Sequence, residues 1–218
     1  MKNQYFNNEN ITEVSQVILQ EISTFKKNIE INFDIDNSTL LVLDMQNYFF
    51  DSSSNAFVPS STAIIPNVIK LVELFQSNGR PVVFTQHLNN KSNANMMNSW
   101  WKNLLKKKSG HYKIISELNK FQYKTIKKTQ YDAFYKTNLN SFLKNHAIKQ
   151  LVVCGVMTHL CCETTIRSAF VRGYLSFFPV DATATYNYEH HLSSFKNLSH
   201  GFSVPLLTKD ILDYEIKA

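Results

Sequence analysis

Two hydrophobic rhythms alternate along this chain. Mostly apolar runs of strand length fall at residues 39–43, 81–85, 148–154 and 175–180. Runs of this kind, apolar on both faces, suit central strands of a parallel sheet. Residues 123–127 give a shorter third strand, and 202–206 a sixth whose Pro205 favours an edge. Between the strands the spacing turns helical. Residues 64–78 form an amphipathic helix with Pro66 in its first turn and Gly79 just past its end. Residues 139–146, 161–172 (closed by Gly173) and 189–198 read as further helices, 111–121 as a weak one, and 208–214 as a last short one. Upstream, Val14, Val17, Ile18, Ile22 and Phe25 place a helix over 11–27, with Asn10 or Thr12 as its N-cap, packed on the outside of the domain. Residues 1–10 are polar enough to read as frayed, and 29–38 as a lead-in. Residues 89–110 lack periodicity, and a loop of that length in a compact domain is usually functional.

Strand and helix in alternation predict an α/β fold: a three-layer α-β-α sandwich around a mostly parallel, doubly wound sheet of about six strands. With no linker and no internal repeat, residues 1–218 are read as one domain. Within it, 1–37 form an N-terminal helix and lead-in, and 38–218 the α/β core.

Composition changes this picture little. The net charge of +6 raises nucleic acid as a partner, but the lysines are scattered and Lys106-Lys107-Lys108 lacks aromatic interleaving. No nucleic-acid or membrane partner is expected, and a small-molecule substrate is. All three cysteines fall between Cys154 and Cys162, which cannot build a spread disulfide framework and suits a reducing compartment. Residues 1–10 have no apolar core of a signal peptide, so the expected location is cytoplasmic. No cluster has metal-ligand spacing, and neither metal nor cofactor is predicted.

The chemistry gathers at strand ends. In a parallel sheet all carboxyl ends share one rim, where ligands bind. Asp44, His87, Lys128 and the loop leading to Cys161 each follow such an end. A cysteine at a helix start feels the positive end of the helix dipole, which favours the thiolate; the alternative is a small apolar residue sealing the corner. Asp44 reads as a base for the thiol or as a capping residue. Lys128 reads as its electrostatic support or as a solvated turn residue. His87 reads as a substrate contact or a packed ring. Backbone N–H groups of Met157 and Cys161 are placed to form an oxyanion hole. Phe49, Trp100, Trp101 and Tyr131 are candidate aromatic walls for a substrate.

Three blocks in order resemble the isochorismatase-like hydrolase superfamily, which includes nicotinamidases and other cysteine amidohydrolases. They are Leu43-Asp44-Met45-Gln46-Asn47-Tyr48-Phe49, Lys128-Thr129-Gln130-Tyr131-Asp132-Ala133-Phe134, and Gly155-Val156-Met157-Thr158-His159-Leu160-Cys161-Cys162. Asp181-Ala182-Thr183-Ala184 and His191-Leu192 are similar too, and the likeness covers roughly residues 38–212. The resemblance implies a triad of Cys161, Asp44 and Lys128, a covalent cysteine intermediate, a cis Val156–Met157 peptide, and assembly into dimers or tetramers. Where the superfamily's vinyl-ether-cleaving members commonly carry glycine at the nucleophile position, this chain has Cys161. That argues for amide or imide hydrolysis, with Cys162 structural. Where nicotinamidases carry an Asp-x-His metal pair, this chain reads Thr85-Gln86-His87. The runner-up activities are vinyl-ether hydrolysis of isochorismate with Asp44 as acid, and non-catalytic binding on the same fold.

Overall fold

The computed structural model describes residues 1–25, 31–101 and 103–214. Seven strands form one parallel sheet: β1 Ser38–Leu43, β2 Val82–His87, β3 Lys124–Lys128, β4 Gln150–Val156, β5 Leu175–Pro179, β6 Thr183–Ala184 and β7 Ser203–Leu206. Their order is β3-β2-β1-β4-β5-β7, with β6 paired to β4 beyond β5. The sheet is therefore α/β and doubly wound, as its apolar runs predict. The strand added to the expected six is β6, whose two residues are too few for any periodicity to register. Pro205 lies on the edge strand β7, where a missing ladder donor is tolerated.

The burial pattern explains the strand sequences. Every residue of β1 is buried, as are six of the seven in β4, because helices cover both faces of the centre. Edge strand β3 alternates instead, with Ile126 and Lys128 inward and Lys124, Thr125 and Lys127 outward. The main helices are α1 Ile11–Ile22, α2 Asn47–Phe50, α3 Ile65–Ser77, α4 Met97–Trp100, α5 Leu139–Asn145, α6 Glu163–Val171, α7 Tyr188–Gly201 and α8 Thr208–Tyr214. Among the described residues no helix is long and apolar enough to cross a membrane.

Three sequence expectations need correction. The weak helix over 111–121 is absent apart from a 3-10 turn at Ser116–Leu118. Its backbone is spent instead on the end of β1: Asn47 N–H donates to Lys113 O, Tyr48 N–H to His111 O, and Ile115 N–H to Met45 O. The helix at 161–172 begins earlier, as a π-turn over Thr158–Cys162 that runs into α6. Residues 1–10 are not frayed: Tyr5 and Phe6 are buried, and both backbone N–H groups donate to Ser60 Oγ at 2.9 and 3.0 Å. The pattern there is two aromatics among asparagines, too short for a period to show. Helix α1 ends at Ile22, followed by a 3-10 turn Ser23–Phe25; Asn10 sits at its N-cap position without a side-chain capping bond. Residues 26 and 27 of the expected helix, and 29–30 of the lead-in, lie outside the described residues.

Candidate active site

β1 leads on to β2 on one side and pairs with β4 on the other, so the sheet changes direction between β1 and β4. A crevice opens at the carboxyl ends of two such strands. They pair without a gap from Ser38↔Gln150 to Leu43↔Gly155. Gly155 is required here: its φ is 105°, and a Cβ would lie 2.2 Å from Leu43 O. This contact brings the loop after β4 directly beside Asp44.

Asp44 leaves β1 with φ 51°, a left-handed turn unusual for a non-glycine residue. Thr85 at the end of β2 holds it from both sides. The Thr85 hydroxyl donates to Asp44 Oδ1 at 2.6 Å and accepts from Asp44 N–H at 3.0 Å. The other carboxylate oxygen lies 2.7 Å from Lys128 Nζ, with both side chains fully buried. Lys128 is the last residue of β3 and pairs with His87 across the β2–β3 ladder. Its ammonium donates further to Gln130 O (3.0 Å), Tyr131 O (3.2 Å) and Cys161 Sγ (3.3 Å). A buried ammonium surrounded by acceptors is the arrangement that keeps such an ion charged.

The electrostatics follow from these contacts. Burial alone would raise the Asp44 pKa, but Lys128, His87 and hydrogen bonding outweigh it, and the carboxyl lies below its usual range. Lys128 shows the converse balance: burial opposes its charge, Asp44 and Cys161 restore it, and its pKa rises. Burial pushes the Cys161 thiol well up; Lys128 pulls it back, while Asp44 raises it as a charge and a hydrogen-bond partner. In the fold a desolvated thiol faces a carboxylate, and both effects oppose the thiolate that a helix start favours. Burial and Asp44 favour the neutral thiol, while the close contact favours charge on both Asp44 and Lys128. Cys154 and Cys162 are buried with raised pKa values, and Cys162 Sγ meets Thr183 Oγ1 at 3.6 Å.

Above the cluster lies a cavity of about 370 Å³, with Cys161 and Met157 among its lining residues. The Val156–Met157 peptide is cis. All five side chains expected to meet substrate (His87, Tyr131, Phe49, Trp100 and Trp101) line it, while Asp44 and Lys128 lie beneath the surface. Trp101 Nε1–H donates to Tyr131 Oη at 2.6 Å, joining two of these walls. Trp100 is exposed at 74%. Tyr48, Leu160 and Tyr186 add to the apolar lining, with Asn55, Asn89 and Asn103 as polar points. Sequence reasoning missed Thr85, Asn89 and Tyr186. Thr85 was legible only as the position lacking a metal carboxylate, and the other two have no motif.

The residues near His87 do not fit a metal. His87 Nε2 pairs with Asn89 Oδ1 at 2.6 Å, and Asn89 Nδ2 donates to Thr129 O at 2.9 Å. Among the described residues no group of three or more His, Cys, Asp or Glu side chains could hold an ion. Burial, reinforced by Lys128, lowers the His87 pKa to about 4, so the ring is neutral near pH 7.

A buried cluster of Cys161, Lys128 and Asp44 thus stands at the switch point of a parallel α/β sheet, beneath a cavity. The Isochorismatase domain model matches residues 38–210, and the chain belongs to this family of hydrolases. It is 36% identical over 172 residues to "Nicotinamidase 3" of Arabidopsis thaliana, a match covering 76% of this chain and 82% of that protein. It is 29% identical over 191 residues to "Isochorismatase" of Bacillus subtilis (strain 168), covering 83% of this chain but 58% of that one. In structure it resembles a cysteine hydrolase from Pseudomonas syringae pv. phaseolicola 1448A, with TM-score 0.83 and 22% identity over 88% of this chain and 98% of the other.

Proposed function

We propose that the chain hydrolyses a small, neutral amide or imide through a covalent Cys161 intermediate. The observation that carries this reading is one ammonium, Lys128 Nζ, lying 2.7 Å from Asp44 and 3.3 Å from the cavity-facing Cys161 thiol. Cys161 Sγ attacks the substrate carbonyl carbon, and its proton passes to the Asp44 carboxylate as the C–S bond forms. The oxyanion is met by the backbone N–H groups of Met157 and Cys161, and Lys128 balances the charge that moves between thiol and carboxylate. Asp44 then gives its proton to the departing nitrogen as the C–N bond breaks. A water molecule, losing its proton to Asp44, adds to the thioester. The acid leaves as that proton returns to the thiol.

The cavity supports a neutral substrate. Among the described residues lining it there is no lysine or arginine, and aromatic side chains dominate. A dicarboxylate such as isochorismate would bring two charges towards the Asp44 carboxylate, and no described lining residue is a lysine or arginine to pair them. The family also contains isochorismatase relatives, so vinyl-ether cleavage is the reading the assay must separate.

The test is turnover on a panel of small amides, imides and isochorismate, with mass spectrometry of the trapped enzyme. An acyl adduct on the peptide holding Cys161, loss of turnover in Cys161→Ala and Asp44→Asn, and retention of most activity in Cys162→Ala are expected. Full amide turnover in Cys161→Ala would overturn the proposal, as would isochorismate being the one substrate cleaved.

A further inference from the structure

Residues 1–6 lie outside the matched family domain, yet they touch both walls of the cavity. On one side, Lys2 Nζ donates to Asn55 O at 2.6 Å, and Ser60 Oγ accepts from the N–H groups of Tyr5 and Phe6. On the other, Asn3 N–H donates to Tyr186 O at 2.8 Å, and the Lys2 ammonium sits 4.4 Å above the Tyr186 ring. Asn55 and Tyr186 are separate lining residues, on the loop after α2 and on the segment before α7. Lys2 is thus bonded to both walls at once.

The next turn of the segment reaches beneath the nucleophile loop. Tyr5 Oη accepts from Thr185 N–H at 3.0 Å and shares a hydrogen bond with His191 Nδ1 at 2.9 Å. That same nitrogen lies 3.1 Å from Thr158 Oγ1, and Thr158 meets Thr183 at 3.0 Å. Thr183 in turn donates to Gly155 O at 2.7 Å. Burial lowers the His191 pKa to about 3, so the ring is neutral near pH 7. A chain of polar contacts therefore links Tyr5 to Thr158 and to Gly155, where the turn that presents Cys161 begins.

We propose that this N-terminal segment is part of the substrate site: Lys2 sets the spacing between the Asn55 and Tyr186 walls, and Tyr5 positions the Cys161 loop from behind. Lys2 is a specificity-determining residue and Tyr5 a positioning residue. The inference depends on the cavity rather than on which bond is cleaved there.

The experiment compares wild type with Lys2→Met, Lys2→Arg and Tyr5→Phe in the full chain. Lys2 is exposed, so Lys2→Met should keep the wild-type thermal midpoint. The readout is the rate of Cys161 alkylation by iodoacetamide and by its bulkier N-benzyl derivative, located by peptide mapping. Loss of one hydrogen bond and one cation–π contact should change the ratio of the two rates by about three- to tenfold in Lys2→Met. Lys2→Arg, which retains both contacts, should restore the wild-type ratio. Tyr5→Phe should slow both reagents with little change in their ratio, because it moves the loop rather than the walls. An unchanged ratio in Lys2→Met, or an equal change with Lys2→Arg, overturns the role of Lys2; unchanged rates in Tyr5→Phe overturn that of Tyr5. Hydrogen–deuterium exchange separates this outcome from failure of the nucleophile assignment. If Cys161 is unreactive in every variant, Lys2→Met must still raise exchange at residues 51–61 and 185–187, and unaltered exchange there refutes the proposal.

Discussion

Replacing Lys128 by methionine isolates the cost of leaving the Asp44 carboxylate alone. At 2.7 Å and an effective dielectric of about 20, the pair attracts with about 6 kcal/mol. Desolvation of both ions offsets much of that, and breaking a buried pair by removing one partner typically costs about 3–5 kcal/mol. For a chain of this size the loss corresponds to a fall in thermal midpoint of about 6–20 °C. The pH dependence carries the sharper signature. In wild type the Asp44 pKa lies below its unfolded value, so its contribution is present above that value and is lost only as pH falls through the folded pKa. Without Lys128 the buried carboxyl is governed by desolvation, and its pKa moves above the unfolded value. Its effect on the variant then has the opposite sign: stability is highest at low pH and declines as pH rises through the raised pKa. The gap between variant and wild type should therefore be widest near neutral pH and shrink towards pH 5. Urea unfolding at several pH values measures it. Adding Asp44→Asn to Lys128→Met removes the stranded charge and should recover about 2–3 kcal/mol as a coupling energy, with no activity regained. A pH-independent gap, or additive losses in the double variant, would refute a charged pair at this position.

Further outcomes follow from the same geometry. Thr85→Val removes the bond on Asp44 Oδ1 and the acceptor for Asp44 N–H; kcat should fall by about 10- to 100-fold and the acid limb of the pH–rate profile should move up. Tyr131→Phe breaks the bond from Trp101 at the cavity wall and should raise KM about three- to tenfold with little change in kcat, read in steady-state kinetics. Gly155→Ala forces a Cβ against Leu43 O in a left-handed conformation, and the soluble, folded yield should collapse. Because the His87 pKa lies near 4, activity between pH 5 and 8 should show no step from this ring, and His87→Gln should leave the shape of that profile unaltered.

The central strands and the rim they share were readable because β1 and β4 carry the apolar runs Leu40–Leu43 and Leu151–Cys154, of strand length and without a helical period. Asp44, Lys128 and Cys161 were readable because topology alone delivers strand ends to one side. The thiol's protonation was not. It depends on the distance between Sγ, a carboxylate and an ammonium, which no spacing rule supplies. The structured N-terminus was misread for a related reason: Tyr5 and Phe6 owe their burial to Ser60, Thr185 and His191, all remote in sequence. Likewise the polar-looking run at 111–121 has its helix-forming bonds taken by the end of β1, a competition visible only in three dimensions.

The sheet order has a temporal consequence. Lys128 reaches Asp44 from β3, across the intervening β2, while Cys161 arrives from β4 on the far side. No two of these three groups sit on neighbouring elements of the chain, so no hairpin or local unit assembles any pair of them. Contacts between remote segments are gained late as a chain organises. A nascent or half-folded chain therefore carries an ordinary thiol, an ordinary carboxylate and an ordinary amine, each in water and none coupled to the others. The contact of Asp44, Lys128 and Cys161 comes into being only when four strands have found register, so the cluster reports the completed sheet.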